Sequence, residues 1–309
     1  MANQAAQPIF VSIQTTAFSG ATLLATLLAA HPEIATIGEM NGLIAREDPA
    51  TYLCSCGQRI RACAFWQGVG SEMRRRGQNF DAADFSTQFA LGGPRVVQHL
   101  RKRSFGHPRL NAIRDALFAA WPAEARRIKR LVTRNEALIE SVLAVTGKRV
   151  FVDTSKDRLR LPMLRRYSSL DLRAVHLVRD VRGVVASRLR RGAAIDAREA
   201  ARQWAVLHER IRGTLSALPS DKRAQIGYED FCRDVRGTLA QLDRFCGVEP
   251  ERRPAELWPS AHHIVGNEMR LKQVSEIRLD ERWRSILSED QLAAIRWGAG
   301  ATSLRYGYR

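Results

Sequence analysis

Two short stretches combine residue types and spacing that suit the binding of anions. Ser19–Thr22, "SGAT", follows an apolar run and begins a helical pattern, so its amides and hydroxyls would face a phosphate at a helix start. Arg179 and Ser187, in "RDVRGVVAS", offer a guanidinium and a hydroxyl for another phosphate. Both stretches also have structural explanations. Gly20 could serve only a tight strand–helix turn, and Arg179 could pair with Asp180 or another nearby carboxylate.

Two further side chains suit proton transfer or charge stabilisation. Glu39 ends the stretch "EIATIGE" and would be a general base if partly desolvated. Otherwise it is a capping or solvated carboxylate. Lys156, in "VDTSK", would supply positive charge to a transferring group. The alternative is a solvated lysine at the end of a strand.

Strands that alternate with helices would position these residues. The strands are predicted at "PIFVSI", "IATI", "KRVFVD", "LDLRAVHLV" and "AQIG". This alternation predicts an α/β protein with three α/β/α layers and a mostly parallel central sheet. Ligands of such sheets lie beyond the carboxyl ends of the strands. The residues above, together with Tyr228 after the fifth strand, are therefore expected to meet at one edge.

The helices and the domain organisation follow from the same pattern. Asp196 and Ser288 are predicted to cap helix N-termini, and Gly247 is predicted to end a helix. Residues 41–148 are arginine-rich and mostly helical in pattern. We interpret them as a helical insertion that forms the substrate lid within a single domain spanning residues 1–309.

The charge of the chain restricts its partners. The 309 residues include 49 Lys and Arg against 32 Asp and Glu, a formal net charge of +17. Such a field attracts nucleic acids, anionic membranes, acidic glycans or nucleotides, but it also fits a basic solvated surface. We find no nucleic-acid-binding motif and expect no nucleic-acid partner. The G-x-x-x-x-G-K-[ST] motif is also absent, which argues against ATP or GTP hydrolysis.

The start of the chain and its apolar runs bear on location. "MANQAAQPIF" lacks the features of a secretory signal. The longest nearly apolar run, Ala21–Ala30, is far below the roughly 20 residues that a membrane-spanning helix needs. We expect a cytoplasmic protein without membrane insertion.

Three of the five cysteines are close together in the sequence. Cys54, Cys56 and Cys63 have the spacing C-x-C-x6-C, which provides three potential metal ligands without an adjacent fourth. A structural zinc site normally has four nitrogen or sulfur ligands, so histidines could contribute only through the fold. Reduced or locally disulfide-bonded cysteines are the alternative. We assign no metal ligand from the sequence.

Several blocks of the chain are similar to one enzyme family. "FSGATLLATLLAAHPEIATIGE" resembles the "RSGTTLL…hP…GE" opening of sulfotransferases that use 3′-phosphoadenosine 5′-phosphosulfate (PAPS). "VDTSK", "LRAVHLVRDVRGVVASRLRRG" and "IGYEDFCRDVRGTLAQLDRFCGV" resemble later blocks in the right order, and "CAFW", "HHIVGNEMRL" and "LDERWRSIL…RYGY" resemble bacterial members. The resemblance covers nearly the whole chain apart from residues 77–148. Its most specific part is R-D-x-R-x-x-x-x-S.

The resemblance implies a P-loop-like sulfotransferase fold, PAPS as the co-substrate and no required metal. It also implies cofactor-binding residues for the two ends of the nucleotide. The 5′-phosphosulfate would be bound by Ser19, Gly20, Ala21 and Thr22. The 3′-phosphate would be bound by Arg179 and Ser187, with Tyr228 supporting the nucleotide and the loop that ends at Arg270 closing over it.

The resemblance also implies catalytic roles. Glu39 matches the catalytic base, and Lys156 matches a lysine close to the transferred sulfuryl group. Trp204 could stack on adenine or belong to the core. The implied reaction is in-line transfer of a sulfuryl group to a hydroxyl or amine of a small molecule or glycan.

Phe18 stands where the family usually has an arginine or lysine. Loss of a cation at a site of developing charge costs about 3 kcal/mol, the order found for a lost oxyanion donor. Either Lys156 or an arginine from elsewhere substitutes, or the protein is a catalytically weak or inactive homologue that binds PAPS or the product 3′-phosphoadenosine 5′-phosphate (PAP).

Overall fold

The computed structural model describes residues 7–42, 48–102, 108–258, 263–266, 271 and 277–308. Within these ranges the strands are β1 (Ile9–Gln14), β2 (Ile34–Thr36), β3 (Val150–Asp153), β4 (Asp171–Val178) and β5 (Arg223–Gly227). The helices are α1 (Ala21–Leu28), α2 (Ala64–Arg75), α3 (Arg95–Lys102), α4 (Pro108–Ala120), α5 (Pro122–Thr146), α6 (Arg160–Tyr167), α7 (Val181–Arg190), α8 (Ala197–Leu215), α9 (Tyr228–Arg233), α10 (Val235–Cys246), α11 (Trp283–Ile286) and α12 (Glu289–Arg305).

The five strands form one sheet in the order β2-β3-β1-β4-β5. Every pairing between neighbouring strands is parallel. β1 lies in the centre, with β3 and β2 on one side of it and β4 and β5 on the other. The carboxyl ends of all five strands therefore lie at one edge, with a crevice beyond β1. The α/β class predicted from the sequence is confirmed.

The alternating side chains of β1 show how helices cover both faces of the sheet. Ile9, Val11 and Ile13 pack into a cluster with apolar residues of α1 and α10. Phe10 points to the opposite face and joins a cluster with residues of α2 and α5. Because side chains alternate along a strand, both faces of β1 are buried, which gives the three layers.

The helices between residues 41 and 148 cover one face of the sheet. α2 and α5 contribute Trp66, Val69, Leu138 and Val142 to the same buried cluster as Phe10. Helices account for most of the described residues of this segment, as the sequence predicts.

The predicted helix ends also agree with the structure. Asp196 accepts a hydrogen bond from the amide of Glu199, 2.8 Å away. Ser288 forms a capping box at the start of α12, and Gly247, at φ 75°, ends α10. α7 begins at Val181, because the Asp180 carboxylate accepts a hydrogen bond from the amide of Arg182 and caps the helix there. None of the described helices combines the length and apolarity needed for a bilayer span.

Candidate active site

A cleft of about 380 Å³ opens at the carboxyl edge of the sheet. All the site residues predicted from the sequence line it except Arg270, which lies outside the described residues. These lining residues are Ser19, Gly20, Ala21, Thr22, Glu39, Lys156, Arg179, Ser187 and Tyr228. The topology thus brings together residues that are up to 209 positions apart in the sequence.

The turn between β1 and α1 exposes the start of the helix to this cleft. Phe18 and Gly20 have left-handed backbones, with φ 65° and φ 84°. No side chain caps the first turn of α1, and that turn contains no acidic residue. The hydroxyls of Thr16 and Ser19 are hydrogen-bonded at 2.7 Å. Amides at such an end carry partial positive charge and can bind an anion.

Gly20 packs against the ring of Tyr228, the first residue of α9. A β-carbon at Gly20 would lie 2.7 Å from Cδ2 of this ring, closer than real β-carbons approach other atoms. Burial raises the pKa of the Tyr228 hydroxyl. The tyrosine therefore forms an uncharged wall of the cleft beside the start of α1.

Arg179 connects the turn before α1 to Asp280, on the opposite side of the cleft. Its side chain is buried, donates to the carbonyl oxygen of Phe18 at 2.8 Å and lies 4.4 Å from the centre of the Tyr228 ring. It also forms an ion pair with Asp280 at 3.1 Å. A hydrogen bond from Arg282, and to a smaller extent one from Arg179, holds the pKa of Asp280 below its usual range.

These contacts agree with the structural explanation for Arg179, a pair with a nearby carboxylate, and its role as a phosphate ligand stays a prediction. The partner of Arg179 is Asp280, whereas Asp180 pairs with Arg182 at 2.6 Å. Arg179 already holds a carboxylate at the edge of the cleft. Its guanidinium is therefore placed to bind an anionic group there if Asp280 moves aside.

Ser187 lies two turns into α7, and its hydroxyl donates to the carbonyl oxygen of Gly183 at 2.8 Å.

Trp204 does not line the cleft, unlike the other aromatic candidate, Tyr228. Trp204 is 1% exposed, and its Nε1 donates to the carbonyl oxygen of Arg179 at 3.2 Å. Because the ring is closed off from the cleft, the adenine-stacking alternative for Trp204 is wrong. Trp204 belongs to the core.

Glu39 and Lys156 are in direct contact. The Lys156 ammonium donates to Oε1 of Glu39 at 2.6 Å, and both side chains are partly exposed. Hydrogen bonds between the two segments hold the pair in place. The amide of Met40 donates to the hydroxyl of Ser155 at 2.6 Å, and the amide of Thr154 donates to the carbonyl oxygen of Gly38 at 3.0 Å.

A buried ion pair supports this edge from below. Arg160 is 2% exposed and donates to Asp153 at 3.1 Å, while Asp153 accepts from the amide and hydroxyl of Ser155. Arg160 also donates to Asn135 of α5 at 3.0 Å. Ser155, the residue next to Lys156, is thus linked to α5 through charged hydrogen bonds.

The cleft also contains three arginines that the sequence interpretation did not single out, Arg190, Arg191 and Arg282. The guanidinium of Arg191 lies 5.2 Å from the centre of the Phe18 ring. Arg190 and Arg191 follow Ser187 by three and four residues, so helical periodicity could have placed them on its face. Arg282 lies in the loop before α11, far from these residues in the sequence, so no local pattern predicted that it would line the cleft.

A larger cavity of about 1330 Å³ lies beside the cleft, and Lys156 lines both. Two exposed arginines, Arg158 of the segment after β3 and Arg210 of α8, also line this cavity. Partial desolvation and the nearby charge of Arg158 lower the pKa of Arg210. Neither arginine forms an ion pair within the part of the chain that the structure describes.

The parallel sheet and the uncapped helix beyond its central strand define an α/β protein of the P-loop-like class. The model of the sulfotransferase family matches residues 16–252, and the chain belongs to this family. No curated protein matches the chain.

Two solved structures are similar to the chain. The sulfotransferase domain from the curacin biosynthetic pathway is 18% identical, with a TM-score of 0.51, and the match covers 98% of each chain. The sulfotransferase domain from the Synechococcus PCC 7002 olefin synthase is 20% identical, with a TM-score of 0.49, over 98% of this chain and 95% of that one.

Proposed function

We propose that the protein is a PAPS-dependent sulfotransferase acting on a hydroxyl or amine of a small molecule or glycan. One observation carries this proposal. The uncapped start of α1 and the Glu39–Lys156 pair line the same cleft. A helix N-terminus suits an anionic donor, and a carboxylate beside a lysine suits deprotonation of an acceptor.

The donor would bind between α1 and Arg179. Amides of Ala21 and Thr22, with the hydroxyl of Ser19, would hold the 5′-phosphosulfate end. Arg179 and Ser187 would bind the 3′-phosphate, which would displace the Asp280 carboxylate from Arg179. Asp280 can move without being left unpaired because Arg282 also donates to it, at 2.7 Å.

Glu39 would take the proton from the acceptor hydroxyl or amine. PAPS supplies the sulfuryl group, whose bond to the 5′-phosphate oxygen breaks as the acceptor atom bonds to sulfur in line. Lys156 would stabilise the negative charge that develops on the sulfuryl and bridging oxygens. In such transfers the protein contributes mainly alignment and electrostatic stabilisation.

Arg191 would provide the cation that Phe18 does not. Its guanidinium lies against the Phe18 ring and lines the cleft beside the first turn of α1. A modest reorientation of this long side chain would bring the charge to the leaving phosphate. This proposal gives Phe18 a role as the apolar surface on which Arg191 rests.

The acceptor would enter through the larger cavity. Lys156 lies between this cavity and the donor cleft, and Arg158 and Arg210 bring further positive charge. We propose that the acceptor carries an anionic group, such as a carboxylate, phosphate or sulfate, that these arginines bind.

Phe18 also supports a second candidate, a homologue that binds PAPS or PAP without turnover. A single experiment separates the two functions. The full chain is incubated with ³⁵S-labelled PAPS and a panel of anionic and neutral hydroxyl and amine acceptors, and PAP affinity is measured by calorimetry. Labelled product supports the enzyme. PAP binding without any product supports the inactive homologue, and the absence of both contradicts the two proposals.

The Arg179→Ala variant tests the nucleotide assignment separately. A charged hydrogen bond contributes about 1.5–3 kcal/mol, so the variant should bind PAP more than about tenfold more weakly. Unchanged affinity would exclude the 3′-phosphate assignment.

A further inference from the structure

The structure brings a fourth ligand to the three clustered cysteines. The Sγ atoms of Cys54, Cys56 and Cys63 and a ring nitrogen of His263 all lie within 4.8 Å of one another. His263 is 200 residues beyond Cys63 in the sequence, so no local motif could reveal it. Three thiols and one imidazole form a Cys₃His set, which is typical of structural zinc.

The spacing of these atoms fits a tetrahedral metal centre. With Zn–S bonds of about 2.3 Å and a Zn–N bond of about 2.0–2.1 Å, a regular tetrahedron has S···S edges of about 3.8 Å and S···N edges of about 3.6 Å. The Sγ atoms of Cys56 and Cys63 are 3.6 Å apart. Nδ1 of His263 is 3.5 Å from Sγ of Cys54 and 3.4 Å from Sγ of Cys63.

The same distances bear on the disulfide alternative. A disulfide needs an S–S separation of about 2.05 Å. All five cysteines of the structure are free thiols. The cluster has the edge lengths of a metal centre and not those of a covalent bond.

The backbone around the cysteines folds into a tight loop followed by a helix start, which brings their sulfur atoms together. The amide of Cys54 donates to the carbonyl oxygen of Gln58 at 2.8 Å, which closes a tight loop. Gly57 turns this loop with a left-handed backbone at φ 86°. Cys63 is the residue directly before α2.

The histidine is held by contacts on the other side of the cluster. The Phe65 ring stacks on the imidazole of His263, with ring centres 4.3 Å apart and planes inclined by 4°. The next residue, Ile264, donates its amide to the hydroxyl of Ser55 at 2.7 Å. Cys54 and Cys63 are buried and Cys56 is exposed, so a metal ion could enter from the side of Cys56.

We propose that Cys54, Cys56, Cys63 and His263 bind one Zn²⁺ ion in a closed structural site. The ion fastens residues 263–266 to the loop that carries Cys54 and Cys56 and to the start of α2, which Cys63 directly precedes. Four protein ligands leave no open position for a substrate, so the metal takes no part in sulfuryl transfer.

The site has a consequence for the candidate active site. The amide of Val265 donates to the carbonyl oxygen of Ile37 at 2.9 Å. Ile37 lies two residues before Glu39. A β-carbon at Gly266 would lie 3.5 Å from Cγ of Glu39. The zinc ion therefore holds in place the segment that packs against Glu39.

Metal analysis of the full chain tests this proposal. Protein produced with added Zn²⁺ and purified in reducing buffer should contain about one Zn²⁺ per chain by mass spectrometry. Cys56→Ser and His263→Gln should each lower the zinc content at least several-fold. The matched control is Cys246→Ala, which removes a buried cysteine of the opposite core cluster and should retain full zinc content.

Two measurements on the unmodified protein keep the test independent of variant folding. Co²⁺ added to the chelator-treated chain should produce the visible absorption of tetrahedral thiolate coordination, and chelation should lower the melting temperature. Wild-type protein without zinc, or a Cys56→Ser variant with full zinc content, would overturn the proposal. A count of three free thiols in place of five after unfolding without reductant would establish a disulfide instead.

Discussion

Gly20, at the start of α1, lies so close to the ring of Tyr228 of α9 that a β-carbon on Gly20 would not fit. The nearest ring atoms, Cδ2 and Cε2, would be 2.7 Å and 2.8 Å from it. The same ring carries the Arg179 guanidinium 4.4 Å from its centre. The shape of the turn before α1 therefore depends on a contact between residues more than 200 positions apart.

Gly20→Ala should weaken PAP binding by at least tenfold and lower the melting temperature. The left-handed backbone costs a non-glycine residue about 1–2 kcal/mol, and the Tyr228 ring must also shift. Gly147→Ala is the matched control, since Gly147 has φ 67° but open space around it. Calorimetry with PAP and thermal unfolding measure both effects. If the two variants behave alike, the Gly20–Tyr228 contact has no role in the site.

The sequence predicted the elements of the fold well because their signals are local. Apolar runs marked each strand, and the caps Asp196 and Ser288 needed only residues within one helical turn. Contacts between distant segments carry no such signal. The pairing of Arg179 with Asp280, the position of Arg191 over Phe18 and the approach of His263 to the cysteines all arise from the fold.

Glu39→Gln should abolish sulfuryl transfer while PAP affinity stays within about twofold of wild type. The amide can still accept a hydrogen bond from Lys156 but cannot take a proton at neutral pH. Transfer is measured with ³⁵S-labelled PAPS, and PAP affinity by calorimetry. Glu33→Gln, a change at the opposite end of β2, is the control and should remain active. A fully active Glu39→Gln variant would remove Glu39 as the base.

Arg191→Ala should lower the turnover number by about 10²–10³, the loss expected for a group that stabilises developing charge. Arg188→Ala, on the same helix but paired with Gln203, should stay close to wild type. Introducing Phe18→Arg into the Arg191→Ala variant should restore part of the activity. If turnover is unchanged in Arg191→Ala, another residue compensates for Phe18.

Arg210→Gln should raise the KM for anionic acceptors about tenfold without changing PAP affinity, because one charged hydrogen bond contributes about 1.5–3 kcal/mol. Neutral acceptors should be unaffected. Arg244→Gln, at an exposed position on α10, is the control. Equal effects on anionic and neutral acceptors would contradict the assignment of the larger cavity to an anionic group.

The buried pair His176 and His208 should make the protein sensitive to acid. Nε2 of His176 and Nδ1 of His208 are hydrogen-bonded at 2.8 Å between β4 and α8. Burial lowers the pKa of His176 to about 4, against an opposing effect of Glu209, and burial with the charge of His176 lowers the pKa of His208 to about 3. Both rings are therefore neutral in the folded protein near pH 7.

The direction in which the free energy of unfolding changes with pH follows from the protons that the chain takes up when it unfolds. Below pH 6.5, the ordinary pKa, the unfolded chain binds up to two protons that the folded chain excludes until about pH 4 and 3. The free energy of unfolding should therefore fall as the pH drops through this window, by up to about 1.4 kcal/mol per pH unit for each histidine. Above pH 6.5 this contribution is constant.

Urea unfolding at several pH values measures this slope. His208→Phe, which keeps an aromatic ring in the core, should flatten the slope between pH 4 and 6.5. His99→Gln removes an exposed histidine and should leave the slope unchanged. Because other groups also titrate in this range, the difference between the two variants carries the result. If both variants keep the wild-type slope, the His176–His208 pair is not the source of the acid sensitivity.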